Sequence, residues 1–174
     1  MNNVNNPYEL LDFMNDISYG YMDKDGNIHK EMDNSFADNF ALESYMEVLN
    51  NKIGICWDQV ELERYFFENK NIKHNTYFIV HYDNDKCPTH TFLIYEDNNK
   101  YYWFEHSWEL YSGIHEYDSE ELALKDIKNK FIKSEIDGEY NPMNLCIYKY
   151  DKPNSHIDCA EFYKHCESGI NIII

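Results

Sequence analysis

The sequence HTFLIYEDNNKYYWFE runs from His90 to Glu105 and consists of two apolar segments around one polar loop. β-Branched and aromatic residues dominate both segments, which predicts strands at residues 90–95 and 100–105. Apolar side chains occupy both faces of each strand, as in a sheet that is covered on both sides. A partly buried carboxylate at the end of such a strand is costly unless it is paired, so Glu105 needs a partner.

The position of the turn determines which residues of the two strands face each other. If the loop is Asp97-Asn98, then His90 lies directly opposite Glu105 on one face of the sheet. Opposed Cβ atoms are roughly 4.5–5.5 Å apart, so the carboxylate could accept the imidazole N–H. A loop one residue further along would place Phe92 opposite Glu105 instead. We favour the first register, which predicts a pair between His90 and Glu105.

Upstream, the segment Gly54-Ile55-Cys56-Trp57-Asp58 predicts a helix that begins at Cys56 and runs to about residue 68. At a helix start, unpaired N–H groups and the positive end of the helix dipole favour a thiolate over a thiol. Cys56 is therefore a candidate nucleophile. Most free cysteines are small buried hydrophobic residues, and this alternative remains open for the segment taken alone.

The rest of the chain predicts a single domain of the α+β class over residues 1–174. With 174 residues, of which 43% are hydrophobic, the chain has material for one core. Helices come first and a sheet follows, which is the order typical of α+β proteins. Capping patterns and β-rich segments predict four further helices, at 7–16, 37–49, 119–133 and 156–167, and two further strands, at 76–81 and 145–150.

Acidic residues dominate the charge of the protein. There are 32 Asp and Glu against 15 Lys and Arg, which gives a net charge of −17. Such a surface repels nucleic acid, and no basic cluster would hold the protein on an anionic membrane, so we expect neither partner. The charge either serves solubility or attracts cationic substrates. No export signal is recognisable and the five cysteines are irregularly spaced, so we expect a cytoplasmic protein with reduced thiols.

Together, the Gly54-Ile55-Cys56-Trp57 helix start, His90 in an aromatic strand and Glu105 in the next strand resemble the transglutaminase-like superfamily, in its bacterial single-domain type. The resemblance covers residues 52–108. It implies a papain-like cysteine enzyme fold, in which the helix bearing the cysteine packs against an antiparallel β-sheet bearing the histidine and the acid. It also implies a catalytic triad of Cys56, His90 and Glu105.

Three features of this sequence depart from the family pattern. The acid is Glu105 where aspartate is usual, Ile55 precedes the cysteine where many members have glutamine, and no tryptophan precedes Trp57. Tyr21 is a candidate to supply the oxyanion donor that such a tryptophan provides. Three tryptophans are candidates to line a substrate cleft: Trp57, Trp103 and Trp108.

The triad predicts attack of Cys56 on an amide carbonyl, followed by a thioester that water or an amine resolves. We favour hydrolysis, by a protease, amidase or deamidase, because an acidic surface keeps amines protonated and poorly nucleophilic. The expected substrate is a protein, a peptide or a small amide, with no cofactor and no metal. His106 adjoins Glu105, but strand alternation points it to the opposite face. The alternative class is a catalytically silent protein-binding module on the same scaffold.

Overall fold

The computed structural model describes residues 1, 3–32, 35–83, 87–136 and 140–174, which form six α-helices and eight β-strands. The helices are α1 (Pro7–Met14), α2 (Phe36–Asn39), α3 (Tyr45–Asn51), α4 (Cys56–Asn69), α5 (Glu120–Glu135) and α6 (Cys159–Glu167). The strands are β1 (Tyr21–Met22), β2 (Ile28–His29), β3 (His74–His81), β4 (Thr89–Asp97), β5 (Lys100–Glu105), β6 (Gly113–Tyr117), β7 (Leu145–Tyr150) and β8 (Ile170–Asn171). Short 3₁₀ turns cover Glu109–Tyr111 and Pro142–Asn144. No helix in these ranges has the length and apolar character needed to cross a bilayer.

Six of the strands form one antiparallel sheet in the order β6-β5-β4-β3-β7-β8, while β1 and β2 pair as a separate hairpin. The α+β class and the antiparallel sheet predicted from the sequence are thereby confirmed. Strands β6 and β8 at the two edges were not predicted, because neither short segment carries a continuous apolar run.

One face of the sheet packs against α4, the helix that begins at Cys56. Phe67 of α4 stacks on Tyr95 of β4, with ring centroids 4.8 Å apart, and meets Phe104 of β5 edge-on at 5.8 Å. Each fully buried phenylalanine contributes roughly 1.5–3 kcal/mol of transfer free energy, so these contacts hold the helix firmly on the strands. The predicted packing of the cysteine-bearing helix on the sheet is confirmed.

The opposite face of the sheet packs against α5. Phe92 and Trp103 are fully buried in a second hydrophobic cluster with Ile127 and Phe131 of that helix. The two clusters explain why β4 and β5 are apolar on both faces, as the sequence analysis predicted.

The register between β4 and β5 differs from the one that we favoured. Asp97 pairs with Lys100 and Leu93 pairs with Phe104, so the two-residue loop is Asn98-Asn99. Both asparagines have positive φ, 49° and 60°. A tight hairpin turn of this type needs left-handed geometry at both central residues, which asparagine adopts more readily than most residue types. The favoured loop at Asp97-Asn98 is therefore wrong, and the alternative register is correct.

Two predicted helix boundaries also change. The segment predicted as one helix at 37–49 forms α2 and α3, because Ser44 caps a new helix with Glu47 in a reciprocal capping box. The side chain of Ser44 accepts from the Glu47 amide at 3.4 Å, while Glu47 accepts from the Ser44 amide at 2.8 Å. The helix predicted at 156–167 begins later, since Asp158 and not Ser155 caps α6.

Candidate active site

The N-terminus of α4 is held in place by side chains of the same helix. Asp58 accepts hydrogen bonds from the backbone amides of Ile55, at 3.0 Å, and Glu43, at 2.9 Å. Gln59 donates to the carbonyl of Gly54 at 2.8 Å. A Cβ at Gly54 would lie 3.0 Å from the Cβ of Asp58, so the tight approach favours glycine. These contacts fix Cys56 as the first residue of the helix, where backbone N–H groups have no intrahelical acceptor.

On the sheet, His90 donates from Nε2 to Oε2 of Glu105 at 2.7 Å. Both residues are almost completely buried, His90 at 6% and Glu105 at 2% exposure. The same carboxylate accepts from Trp103 Nε1 at 3.2 Å, from Ser107 Oγ at 3.1 Å and from the Trp108 amide at 2.7 Å. Four donors thus hold the carboxylate in one orientation, and it in turn orients the imidazole.

The corrected register explains why the acid is a glutamate. Because Leu93 pairs with Phe104, Glu105 lies opposite Phe92. Glu105 and His90 are therefore diagonal neighbours and not directly opposite each other. Diagonal neighbours on one face are roughly 7–8 Å apart, within reach of a long side chain. Glutamate has one methylene more than the aspartate usual at this place, and its carboxylate spans the diagonal. The pair was predicted from the sequence with a different register, which the structure corrects.

Cys56 interacts with His90 from the helix side. Burial alone lowers the pKa of His90, but the charge of Glu105, hydrogen bonds with Cys56 and Glu105, and the charge of Cys56 raise it to about 10. The ring is therefore held as an imidazolium at neutral pH between a sulfur and a carboxylate. Helix α4 and strands β4 and β5 bring the three predicted residues together, although they are distant in the sequence.

Tyr19 is a site residue that the sequence analysis missed. Burial of its hydroxyl raises its pKa, and the charge of Cys56 and a hydrogen bond with Cys56 raise it further. The residue as a whole is 47% exposed. A neighbouring contact explains the placement: Ser18 pairs with Ile53 in an isolated parallel bridge, which draws residue 19 alongside the start of α4. The hydroxyl stays protonated beside the sulfur and is available as a donor.

Tyr21, the predicted oxyanion donor, is placed elsewhere. Its ring is 1% exposed and stacks on His29 at 4.6 Å. Within the described ranges its hydroxyl has no hydrogen-bond partner, and no described contact joins it to Cys56 or His90. Both tyrosines belong to one short segment, and only the long-range bridge at Ser18 distinguishes them.

The three tryptophans predicted to line a cleft take different positions. Trp57 is 3% exposed and stacks on Phe162 at 4.4 Å, so it belongs to the core. Trp103 is fully buried and reaches the site only through its N–H bond to Glu105. Trp108 lies against His90, with ring centroids 4.9 Å apart, and lines a surface cleft. The cleft interpretation is therefore corrected for Trp57 and Trp103.

A cleft of about 300 Å³ opens beside His90. Its walls combine aromatic, hydroxyl and acidic groups: Tyr19, Thr89, His90, Ser107, Trp108, Glu109 and Glu135. Tyr19 and His90 line this cleft and both interact with Cys56, so the cleft lies close to the sulfur.

Two further ionisable residues lie near the three predicted site residues on the α4 side of the sheet. His106 donates from Nδ1 to Oε1 of Gln59 at 2.6 Å, and burial lowers its pKa. It therefore packs against α4, away from Glu105, as strand alternation predicted. Glu63 is 4% exposed, and burial together with the charge of Glu105 raises its pKa well above the ordinary value. No sequence pattern indicates the burial of Glu63, because this burial depends on how α4 packs on the sheet.

Within the described ranges, no group of three or more His, Cys, Asp or Glu side chains is arranged to hold a metal ion. All five cysteines are free thiols. The site described above brings together a cysteine, a histidine and an acid.

Comparison with known families gives one result. A family model described as a transglutaminase-like domain matches residues 2–136, which include every residue of the site described above. A comparison with curated proteins gives no match.

Proposed function

The chain belongs to the family of transglutaminase-like domains, and from that premise we propose that it cleaves amide bonds through a thioester on Cys56. The observation that carries the proposal is the pair of interactions made by His90. One ring nitrogen donates to Glu105 at 2.7 Å, and Cys56 lies close enough to the imidazole to raise its pKa. A nucleophile, a base in contact with it and a group that orients the base are the minimal set for this chemistry.

In the first step, the Cys56 thiolate attacks the carbonyl carbon of the amide, and the carbonyl electrons move to oxygen. The Cys56 backbone N–H and the Tyr19 hydroxyl stabilise this oxyanion. The imidazolium of His90 then gives its proton to the leaving nitrogen as the carbon–nitrogen bond breaks. An amine or ammonia departs, and the acyl group remains on sulfur as a thioester.

In the second step, neutral His90 takes a proton from water as the water oxygen attacks the thioester. The carbon–sulfur bond breaks, a carboxylic acid leaves, and the thiolate–imidazolium pair is restored. Glu105 holds the imidazole in one orientation throughout. No cofactor is needed for either step, and the substrate is a protein, a peptide or a small amide.

We propose hydrolysis rather than amine transfer as the main outcome. The acidic surface keeps amine groups protonated, which lowers the concentration of the nucleophilic free base. Water needs no such deprotonation before it enters the cleft, since His90 can act as its base.

The test uses intact-mass measurement after rapid acid quenching. The protein is mixed with a peptide amide, a glutamine-containing peptide and either substrate plus an added amine. We expect an acyl adduct on Cys56 that is absent in Cys56→Ala and strongly reduced in His90→Ala. The released product should be the carboxylic acid more than the new amide.

A second readout separates an enzyme from the silent binding module. A small neutral alkylating reagent should label the buried Cys56 faster than the exposed Cys87 at pH 6–7, and the difference should disappear in His90→Ala. No adduct with any substrate, together with slow labelling of Cys56, would leave the protein-binding module as the correct class.

A further inference from the structure

The cleft beside His90 is acidic and aromatic. Glu109 and Glu135 stand on its walls next to the indole ring of Trp108, with Tyr19 and Ser107 also exposed to the space. Among the described residues that line it there is no lysine or arginine. Apart from the largely buried imidazolium of His90, a positively charged group would meet carboxylates, hydroxyls and the Trp108 ring on entering.

The two glutamates are free to act on a ligand. In the described part of the chain, neither Glu109 nor Glu135 forms an ion pair. Other acids on α5 are neutralised by their own helix: Glu121 contacts Lys125 at 2.5 Å, and Asp126 pairs with Lys130. The described residues thus leave the charge of these two glutamates uncompensated.

The acidic walls reach the reacting atoms. The charge of Glu135 acts on the Tyr19 hydroxyl, which hydrogen-bonds with Cys56. On the other wall, Trp108 packs on His90 with centroids 4.9 Å apart. His90 is 6% exposed, yet it contributes to the lining. A group held in the cleft therefore lies beside the imidazole and beside the tyrosine that interacts with the sulfur.

We infer that the cleft selects amide substrates that carry a positively charged group next to the bond to be cleaved, such as a lysine or arginine side chain. This inference depends on the proposed function. A cation over an indole face is attracted by the ring quadrupole, and the carboxylates add Coulomb attraction. Trp108, Glu109 and Glu135 are then the residues that determine specificity.

The first test measures charge preference at the sulfur without any catalysis. A cationic trimethylammonium-ethyl methanethiosulfonate and its anionic sulfonatoethyl analogue react with a thiol in the same way, and the mixed disulfides that they form differ mainly in the charge of the attached group. The ratio of their rates at Cys56 is compared with the ratio at Cys87, which is exposed and feels the same net charge. We expect a ratio at Cys56 at least about tenfold above that at Cys87.

Charge-neutral variants locate the source of that preference. Glu109→Gln and Glu135→Gln should each lower the ratio at Cys56 about threefold, and the double variant about tenfold. Glu121→Gln on α5 removes an acid outside the cleft and should leave the ratio near that of the wild type. High salt should reduce the preference, because exposed charges are screened.

The second test compares cationic, neutral and anionic versions of one peptide amide by kcat/KM. We expect the order cationic, neutral, anionic, and a smaller spread in the double variant. If the neutral peptide forms the thioester while the charge ratios at Cys56 and Cys87 are equal, the inference is overturned and the proposed function stands. If Cys56 shows the charge preference but forms no thioester with any peptide, the proposed function fails and the inference fails with it.

Discussion

Shortening Glu105 by one methylene, in Glu105→Asp, tests the diagonal geometry of its pair with His90. Aspartate is the usual acid in this family, so an argument from resemblance alone predicts that the variant works as well as the wild type. The structure predicts the opposite, because in this register the carboxylate reaches His90 across the diagonal between β4 and β5.

The magnitude follows from the contacts of the carboxylate. The loss of one carbon–carbon bond draws the carboxylate back by roughly 1.5 Å, which lengthens its 2.7 Å contact with His90 to about 4 Å. A hydrogen bond to a charged group contributes about 1.5–3 kcal/mol, and we expect the bonds to His90 and Trp103 to weaken most. The variant should lose about 3 kcal/mol of stability, or about 6–12 °C in Tm for a chain of this size.

The rate of thioester formation should fall more sharply than the stability. An imidazole released from Glu105 no longer holds its proton in line with the leaving nitrogen, and a displacement of about 1 Å costs about 10²-fold. The assay is the time course of the acyl adduct on Cys56 by intact mass, with thermal unfolding followed in parallel. The control is Glu116→Asp on β6, whose side chain is 56% exposed and should change neither quantity by much. Wild-type rate and Tm in Glu105→Asp would refute the diagonal reasoning.

Three further predictions concern residues around the site. Tyr19→Phe should slow thioester formation about 10²-fold, whereas Tyr21→Phe should keep the wild-type rate. Tyr21→Phe should also gain about 1 kcal/mol in the free energy of unfolding, because it removes a buried hydroxyl that has no partner among the described residues. Equal rates in the two variants would refute the role of Tyr19 as the oxyanion donor. The pKa of His90 is raised from 6.5 to about 10, so the contribution of its protonated ring to stability is complete below pH 6.5 and disappears as pH rises through 10. The Tm difference between the wild type and His90→Ala should therefore shrink over that interval. A difference that stays constant with pH would contradict this prediction. Glu63→Gln should be more stable than the wild type, and the gain should grow above pH 4.5, because burial disfavours the ionised form of Glu63 in the folded protein and raises its pKa. The control is Glu68→Gln at an exposed position, which should show no such trend in thermal unfolding.

Much of the candidate site could be predicted from short segments of sequence. The helix start at Cys56 depends on the glycine and aspartate around it, and the two apolar strands depend on their own composition. Their order along the chain was enough to indicate the family, whereas the pairing of His90 with Glu105 was predicted from a register that the structure corrects. The position of the turn could not be decided from the sequence, since Asp97-Asn98 and Asn98-Asn99 both suit a tight loop.

The remaining site residues depended on contacts between distant segments. Tyr19 and Tyr21 are chemically equal in the sequence, and a backbone bridge at Ser18 brings only the first to the sulfur. Trp57 and Trp108 both adjoin predicted site residues, yet one packs in the core and the other lines the cleft.

By itself, the sequence determined the α+β class, the helix that presents Cys56 and the two strands that end in His90 and Glu105, because capping and apolar patterns act over a few residues. The tertiary structure alone decided the β4–β5 register, the approach of Tyr19, the burial of Glu63 and the acidic cleft. These depend on which faces pack together, and packing free energy is a property of the assembled core that no local segment contains.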